Sequence, residues 1–186
     1  DSKTMSSLVH DLEARVHRSP DAPALSWKSS TWTYSDLWRG IACVRDALCA
    51  GNFPAGARVA VLMRNSPQYA AAFFGTLAAG FVAVPLNVQE RAGVLARQLA
   101  HSGCSAIVAD PSHPEWHELE PICVAQGIRV HKVSLAEEAT PVVGFCSQFQ
   151  QAPGSGSDRI DTEALATLIY TSGTTGQPKG IVRDNG

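Results

Sequence analysis

Between positions 58 and 133 the chain alternates short, nearly continuous apolar runs with segments of helical spacing. Residues 58–63 read RVAVLM and residues 81–86 read FVAVPL. Apolar runs of this length are those of strands covered on both faces. Asn65-Ser66-Pro67 opens a helix, with Pro67 near the first position, where a missing N–H costs little. That helix runs to Ala79 and stops at Gly80. Residues 90–101 read as a helix, 106–109 as a strand, 114–126 as a helix and 128–133 as a strand. Strand, helix and strand in succession predict an α/β fold: a mostly parallel sheet wrapped by helices through right-handed crossovers.

The flanking segments carry weaker signals. Ser6 or Ser7 can cap a helix to Arg18, with Leu8, Leu12 and Val16 on one face. Ser19-Pro20-Asp21 ends it. Residues 24–28 read as a strand and 31–34 as a second strand or a turn. Ser35 is the expected cap of a helix over 36–50, closed by Gly51-Asn52 and striped by Leu37, Ile41, Val44 and Leu48. The pattern weakens after Ala136, and residues 148–158 (QFQQAPGSGSD) read as a linker or loop. Residues 164–171 (ALATLIYT) then form a last strand. The expected organisation is an α/β subdomain over 5–147, a linker or loop over 148–163, and a strand with its following loop over 164–186, opening the next subdomain.

Charge narrows the possible partners. Lys and Arg number 15 and Asp and Glu 17, for a formal net charge of -2. No strong field draws in nucleic acid or an anionic membrane, so any bound anion must be held by local groups. Residues 66–89 carry no charge, but Gly75, Gly80 and Pro85 divide them, which suits a helix followed by a strand and not a membrane span. The cysteines at 43, 49, 104, 123 and 146 form no C-x-x-C pair, and no signal peptide is expected to precede them. They are expected to be free thiols in a reducing, cytoplasmic setting. A chain of 186 residues buries about 70% of its unfolded surface and needs no staple.

The most informative stretch follows the last strand: Ser172-Gly173-Thr174-Thr175-Gly176-Gln177-Pro178-Lys179-Gly180. Gly173, Gly176 and Gly180 let the backbone turn sharply and approach a ligand closely. Thr171, Ser172, Thr174 and Thr175 carry hydroxyls that can donate to phosphate oxygens, and backbone N–H groups in such a turn can form an anion nest. Lys179 supplies the loop's one positive charge. The alternative reading of the same residues is a hydrated surface turn. The loop is not a Walker loop, because Pro178 stands where glycine is required and Gly180 follows Lys179. The lone G-x-G at Gly154 to Gly156 opens no helix and has Arg159 where the last glycine belongs.

Residues 168–180 (LIYTSGTTGQPKG) closely resemble the phosphate loop of the adenylate-forming enzymes: acyl-CoA synthetases, peptide synthetase adenylation domains and luciferases. Further resemblances follow the family's order. Thr33-Tyr34-Ser35-Asp36-Leu37 is similar to its T-Y-x-x-L. Residues 59–65 with the following helix resemble its next strand–helix unit. Leu77-Ala78-Ala79-Gly80 with Val84-Pro85-Leu86-Asn87 resembles its A-G-x-x-x-V-P-L element. The resemblance implies the first part of that family's large N-terminal domain, and with it ATP-dependent activation of a carboxylic acid as an acyl-adenylate. A thiol such as coenzyme A or a carrier-protein phosphopantetheine then takes the acyl group. On the same grounds Thr171, Ser172, Gly173, Thr174, Thr175, Gly176 and Lys179 hold the β- and γ-phosphates of ATP, with Mg²⁺ bridging oxygens. The ribose-binding and metal-binding acids and a late catalytic lysine are expected beyond residue 186, in the remaining part of the parent chain, so no catalytic residue is named here. The 186 residues alone are expected to be inactive. The competing expectation is a catalytically incomplete module that binds phosphate or a partner.

Other constellations have plainer readings. His113 and His117 stand at zinc-compatible i, i+4 spacing, but Glu115 is not where H-E-x-x-H needs it and no third ligand follows nearby; a solvated helix start is expected, and no metal site. His10 and His17 read as a surface face. Trp27, Trp32 and Trp38 read as packing residues. No serine sits in G-x-S-x-G, so a hydrolase triad has no support.

Overall fold

The computed structural model describes residues 8–135, 141–149, 167–171 and 179–183. Helix α1 (Leu8–Arg18) precedes a two-stranded antiparallel hairpin of β1 (Pro23–Trp27) and β2 (Ser30–Thr33). Helix α2 (Tyr34–Cys49) leads to the main unit: β3 (Arg58–Leu62), α3 (Pro67–Ala78), β4 (Val82–Pro85), α4 (Ala92–Ser102), β5 (Cys104–Ala109), α5 (Trp116–Ala125) and β6 (Arg129–Lys132). Then come α6 (Val142–Cys146), β7 (Thr167–Thr171) and β8 (Lys179–Arg183). The sheet order is β6-β5-β3-β4-β7-β8. The first five strands in that order run parallel, and β8 turns back antiparallel on β7.

The continuous apolar runs serve two cores at once. Along β3 and just past it, Val59, Val61 and Met63 face a core shared with α2, α3 and α6, while Ala60 and Leu62 face a second core with α4 and α5. Strand β5 divides its residues the same way, Ala106 and Val108 to one side and Ile107 and Ala109 to the other. Successive side chains of a strand point to opposite faces, so a strand between two helical layers must be apolar at every position. The uncharged stretch 66–89 is α3 followed by β4, and among the described residues no helix is long and apolar enough to cross a membrane. Trp32 is buried and Trp38 partly so, both against the α2/α3 core.

The expected cap at Ser35 is displaced by two residues. Thr33 caps α2 from an extended backbone: its Oγ1 accepts from Asp36 N–H at 3.1 Å, and Asp36 Oδ2 accepts from Thr33 N–H at 3.1 Å. This reciprocal pair satisfies two backbone donors, whereas a lone serine side chain satisfies one. Ser66 caps α3 by accepting from Tyr69 N–H at 3.1 Å, with Pro67 at the helix start. Helix α4 ends at Gly103, whose φ of 63° is the left-handed conformation that glycine adopts without steric penalty.

Gly75 sets how closely α2 and α3 approach. A Cβ there would lie 2.6 Å from Val44 Cβ and 2.9 Å from the Ile41 carbonyl oxygen. Alanine gains about 1 kcal/mol in helix propensity, but inserting an extra carbon into a packed core costs about 1–3 kcal/mol. The carbonyl is backbone and cannot rotate away, so the cost wins. Gly75→Ala is expected to lower unfolding stability in urea by about 1–2 kcal/mol; a variant more stable than the parent would show that the helices have room.

Burial, and secondarily the Arg129 guanidinium, lowers the His131 pKa on β6 from its ordinary 6.5. Its Nε2 is buried without a hydrogen-bond partner, beside the Phe149 ring at 6.3 Å. Because the folded pKa lies below the unfolded one, the unfolded state binds more protons as the pH falls through 6.5. Stability should therefore decline below that pH, and His131→Gln should flatten the decline. Equal pH slopes for parent and variant in denaturant melts between pH 7 and pH 5 would contradict the burial argument.

Two of the five cysteines depart from the free-thiol expectation. Cys43 on α2 and Cys146 on α6 are disulfide-bonded, with Cα atoms 5.7 Å apart. Their sequence separation of 103 conceals a pairing that only the docking of α6 onto α2 creates. Cys49, Cys104 and Cys123 are free, as expected.

Candidate functional site

The hairpin β7–β8 frames the glycine- and hydroxyl-rich loop. Its register pairs Thr167 with Arg183, Ile169 with Ile181, and Thr171 with Lys179. The first and last of the proposed phosphate-binding residues, Thr171 and Lys179, thus stand opposite each other at the mouth of the loop. Ser172, Gly173, Thr174, Thr175 and Gly176 lie outside the described residues. A strand pair fits 167–171 and 179–183 because Thr167, Leu168, Ile169, Tyr170, Thr171, Ile181 and Val182 are apolar, aromatic or β-branched.

The hairpin's position in the sheet fixes the edge at which β7 ends. Strand β7 runs parallel to β4, meeting it at Ala83 and Thr167. The carboxyl end of β7 therefore lies at the same edge of the sheet as the carboxyl ends of β3, β4 and β5. In open α/β sheets, ligands bind at that edge, where the strand order reverses. Here the reversal lies between β3 and β5: the chain steps from β3 to β4 on one side, then crosses back to β5 and continues to β6.

A crevice of about 370 Å³ lies at that reversal, bounded by Leu62, Met63, Arg64, Val88, Asp110, Ser112, His113 and Pro114. A neighbouring hollow, also about 370 Å³, shares Met63, Arg64 and Val88 and extends toward Asn65, Tyr69, Asn87 and Gln89. Asp110 is buried at the crevice wall. Its carboxylate accepts from Ser112 N–H at 2.9 Å and from Ser112 Oγ–H at 2.7 Å. The Arg64 guanidinium lies 3.9 Å away, with its side chain 55% exposed. These bonds hold the carboxylate in one orientation, while Arg64 remains free to turn toward solvent. The crevice thus offers a cation, a fixed carboxylate and apolar walls to a polar ligand.

The histidines are occupied locally. His113 Nδ1 accepts from Glu115 N–H at 3.3 Å, which leaves the proton on Nε2, buried without a partner. Glu115 turns the other way and caps α4, accepting from Ala92 N–H at 2.6 Å and from Arg91 at 3.2 Å. His117 is exposed, with Nε2 3.7 Å from Glu118. Among the described residues no three His, Cys, Asp or Glu side chains gather as metal ligands. His10 and His17 lie exposed on α1, a surface face as expected.

Sequence reasoning missed Arg64, Asp110 and Ser112. The available signal was Asp110-Pro-Ser112 directly after an apolar strand, a pattern in which the aspartate accepts from the backbone two residues on. Arg64 carries no such signal. Its place follows from the neighbour that β3 acquires in the sheet.

Known proteins are similar to this chain in sequence and fold. The family model described as AMP-binding enzyme matches residues 12–186. A feruloyl-CoA synthase from Amycolatopsis sp is 30% identical over 174 residues, covering 92% of this chain and 32% of the relative. Surfactin synthase subunit 2 from Bacillus subtilis is 29% identical, with 94% of this chain and 5% of that protein covered. The chain thus spans about a third or less of the length of these relatives. O-succinylbenzoate coenzyme A synthetase from Bacillus subtilis, solved in complex with AMP, superposes with a TM-score of 0.66 at 27% identity, covering 91% of this chain and 40% of that one. The match over residues 12–186 establishes that this chain belongs to the AMP-binding enzyme family.

Proposed function

We propose that this chain serves ATP-dependent activation of a carboxylic acid, contributing the loop that holds the nucleotide's β- and γ-phosphates. The supporting observation is the opposition of Thr171 and Lys179 across the hairpin, where β7 ends at the carboxyl edge of the sheet. The donor set fits a polyphosphate: hydroxyls on Thr171, Ser172, Thr174 and Thr175, backbone N–H groups at Gly173 and Gly176, and the Lys179 ammonium. Lys179 offsets phosphate charge, the hydroxyls orient phosphate oxygens, and the glycines admit close approach. When bound, ATP supplies the α-phosphorus that the carboxylate attacks, with pyrophosphate leaving. Magnesium would arrive held by the phosphate oxygens, since the loop itself carries no carboxylate. The acceptor is a thiol, either coenzyme A or a carrier-protein phosphopantetheine.

The same proposal assigns residues 5–147 to an α/β subdomain, 148–163 to a linker and 164–186 to the start of the next, and it places the protein in the cytoplasm. It also assigns the ribose contacts and the remaining catalytic groups to chain beyond residue 186, so the 186 residues alone are inactive. The test is carboxylate-dependent ATP–pyrophosphate exchange by the intact protein against a panel of aliphatic, aromatic and amino acids. Exchange with one class supports the proposal. No exchange with any acid, while triphosphate still binds, would leave the phosphate-binding module as the surviving reading.

A further inference from the structure

The disulfide between Cys43 and Cys146 joins two parts of the fold that also meet through apolar packing. The chain must pass from β6, at one end of the sheet, to β7, beyond β5, β3 and β4. Helix α6 is the described landmark on that crossover. It has five residues, too few to persist as a helix in water. Val142, Phe145 and Phe149 seat it in the α2/α3 core. The sulfur bridge adds a covalent anchor at the same place. Its Cα separation of 5.7 Å lies in the range that a disulfide spans without moving the backbone. Cys43 and Cys146 are half-buried, so small thiols and disulfides can reach them. Cys104 and Cys123 are poor competitors: both are buried, and burial pushes their thiols up to about 11.

We propose that Cys43 and Cys146 form a reversible redox tether that clamps the β6–β7 crossover to α2 when a small-molecule disulfide oxidises the pair, and leaves it on three apolar anchors when they are reduced. With glutathione disulfide, one cysteine thiolate attacks a glutathione sulfur and expels one glutathione thiolate. The second cysteine thiolate attacks the resulting mixed disulfide and expels the other. Two cysteine thiols are oxidised, one glutathione disulfide is reduced to two glutathione thiols, and the two cysteine protons pass to the departing thiolates. The tether acts on the segment that leads to the β7–β8 hairpin and is independent of what the hairpin's loop binds.

The test equilibrates the 186-residue chain across a series of glutathione to glutathione-disulfide ratios, traps free thiols by alkylation and maps linked peptides by mass spectrometry. A Cys43–Cys146 peptide pair that rises and falls reversibly with the ratio is expected. Chymotrypsin applied to the same samples should cut at Phe145 and Phe149 about tenfold more slowly after oxidation, because both rings must leave the core before cleavage. Cys146→Ser should lose this protection, and Cys49→Ser should keep it. A Cys43–Cys49 link, a mixed disulfide that never resolves, or wild-type cleavage that ignores the redox ratio would each overturn the tether. Comparing oxidised with reduced wild type decides the matter even where a serine variant fails to fold.

Discussion

Replacing Lys179 by alanine in the intact protein is expected to lower carboxylate-dependent ATP–pyrophosphate exchange by about 10²–10³-fold, the usual cost of removing one preorganised charge-stabilising group. Lys179 is the first residue of β8 and pairs in register with Thr171, so its Cα is held by the hairpin whatever its side chain. The loss should therefore fall on catalysis and leave the fold in place. Because the lysine acts as a point charge, Lys179→Arg should recover part of the activity, and the planar guanidinium should not recover all of it. A strong fall in kcat with both variants folded supports a role in steadying the departing pyrophosphate. Exchange within threefold of wild type in Lys179→Ala would remove this residue from the site, and the phosphate-loop assignment with it.

Phe145→Ala should be the most damaging single change in the described core. Among the described residues Phe145 is the largest fully buried side chain. Its ring meets Trp32 edge-on at 5.8 Å between centroids and Phe149 at 5.1 Å. On the other side it lies 3.4 Å from where a Cβ on Gly40 would sit. Truncation removes the transfer free energy of a phenyl ring, leaves a cavity beneath α2, and breaks two aromatic pairs. Substitutions of this kind cost about 3–5 kcal/mol, with aromatic pairs adding about 0.5–1.5 kcal/mol beyond area burial. Against a total stability of about 5–15 kcal/mol for a domain, such a loss should appear as a large drop in the urea midpoint. The measurement belongs under reducing conditions, so that the disulfide does not mask the loss by holding α6 in place. A change below about 1 kcal/mol would mean that α6 contributes little to the core.

The two predictions bear on elements of unequal legibility. The phosphate-loop proposal comes from the chain alone, because the function it assigns rests on residue types within a few positions of one another, and residues 172–178 lie outside the described residues. Helix α6 was not legible in the chain alone. Its segment is flanked by polar stretches, and the anchors Val142, Phe145 and Phe149 are too few to show a helical period. Strands β3, β4 and β5 were found within two residues of their observed ends, since burial on both faces writes itself as a continuous apolar run. The cap of α2 was misplaced from Thr33 to Ser35 because both are good capping residues; the reciprocal bond from Asp36 decided between them.

The amino-acid order determined the α/β class and the alternation of strands and helices, and it carries the chemistry proposed for residues 171–179, since each depends on periodicity or turn preference acting over a few residues. The strand order β6-β5-β3-β4-β7-β8, the crevice where Arg64 meets Asp110, and the meeting of Cys43 with Cys146 were decided only by the tertiary structure. Those features depend on which layers pack together. That choice is made by apolar burial summed over the whole chain, and no local window of sequence contains that sum.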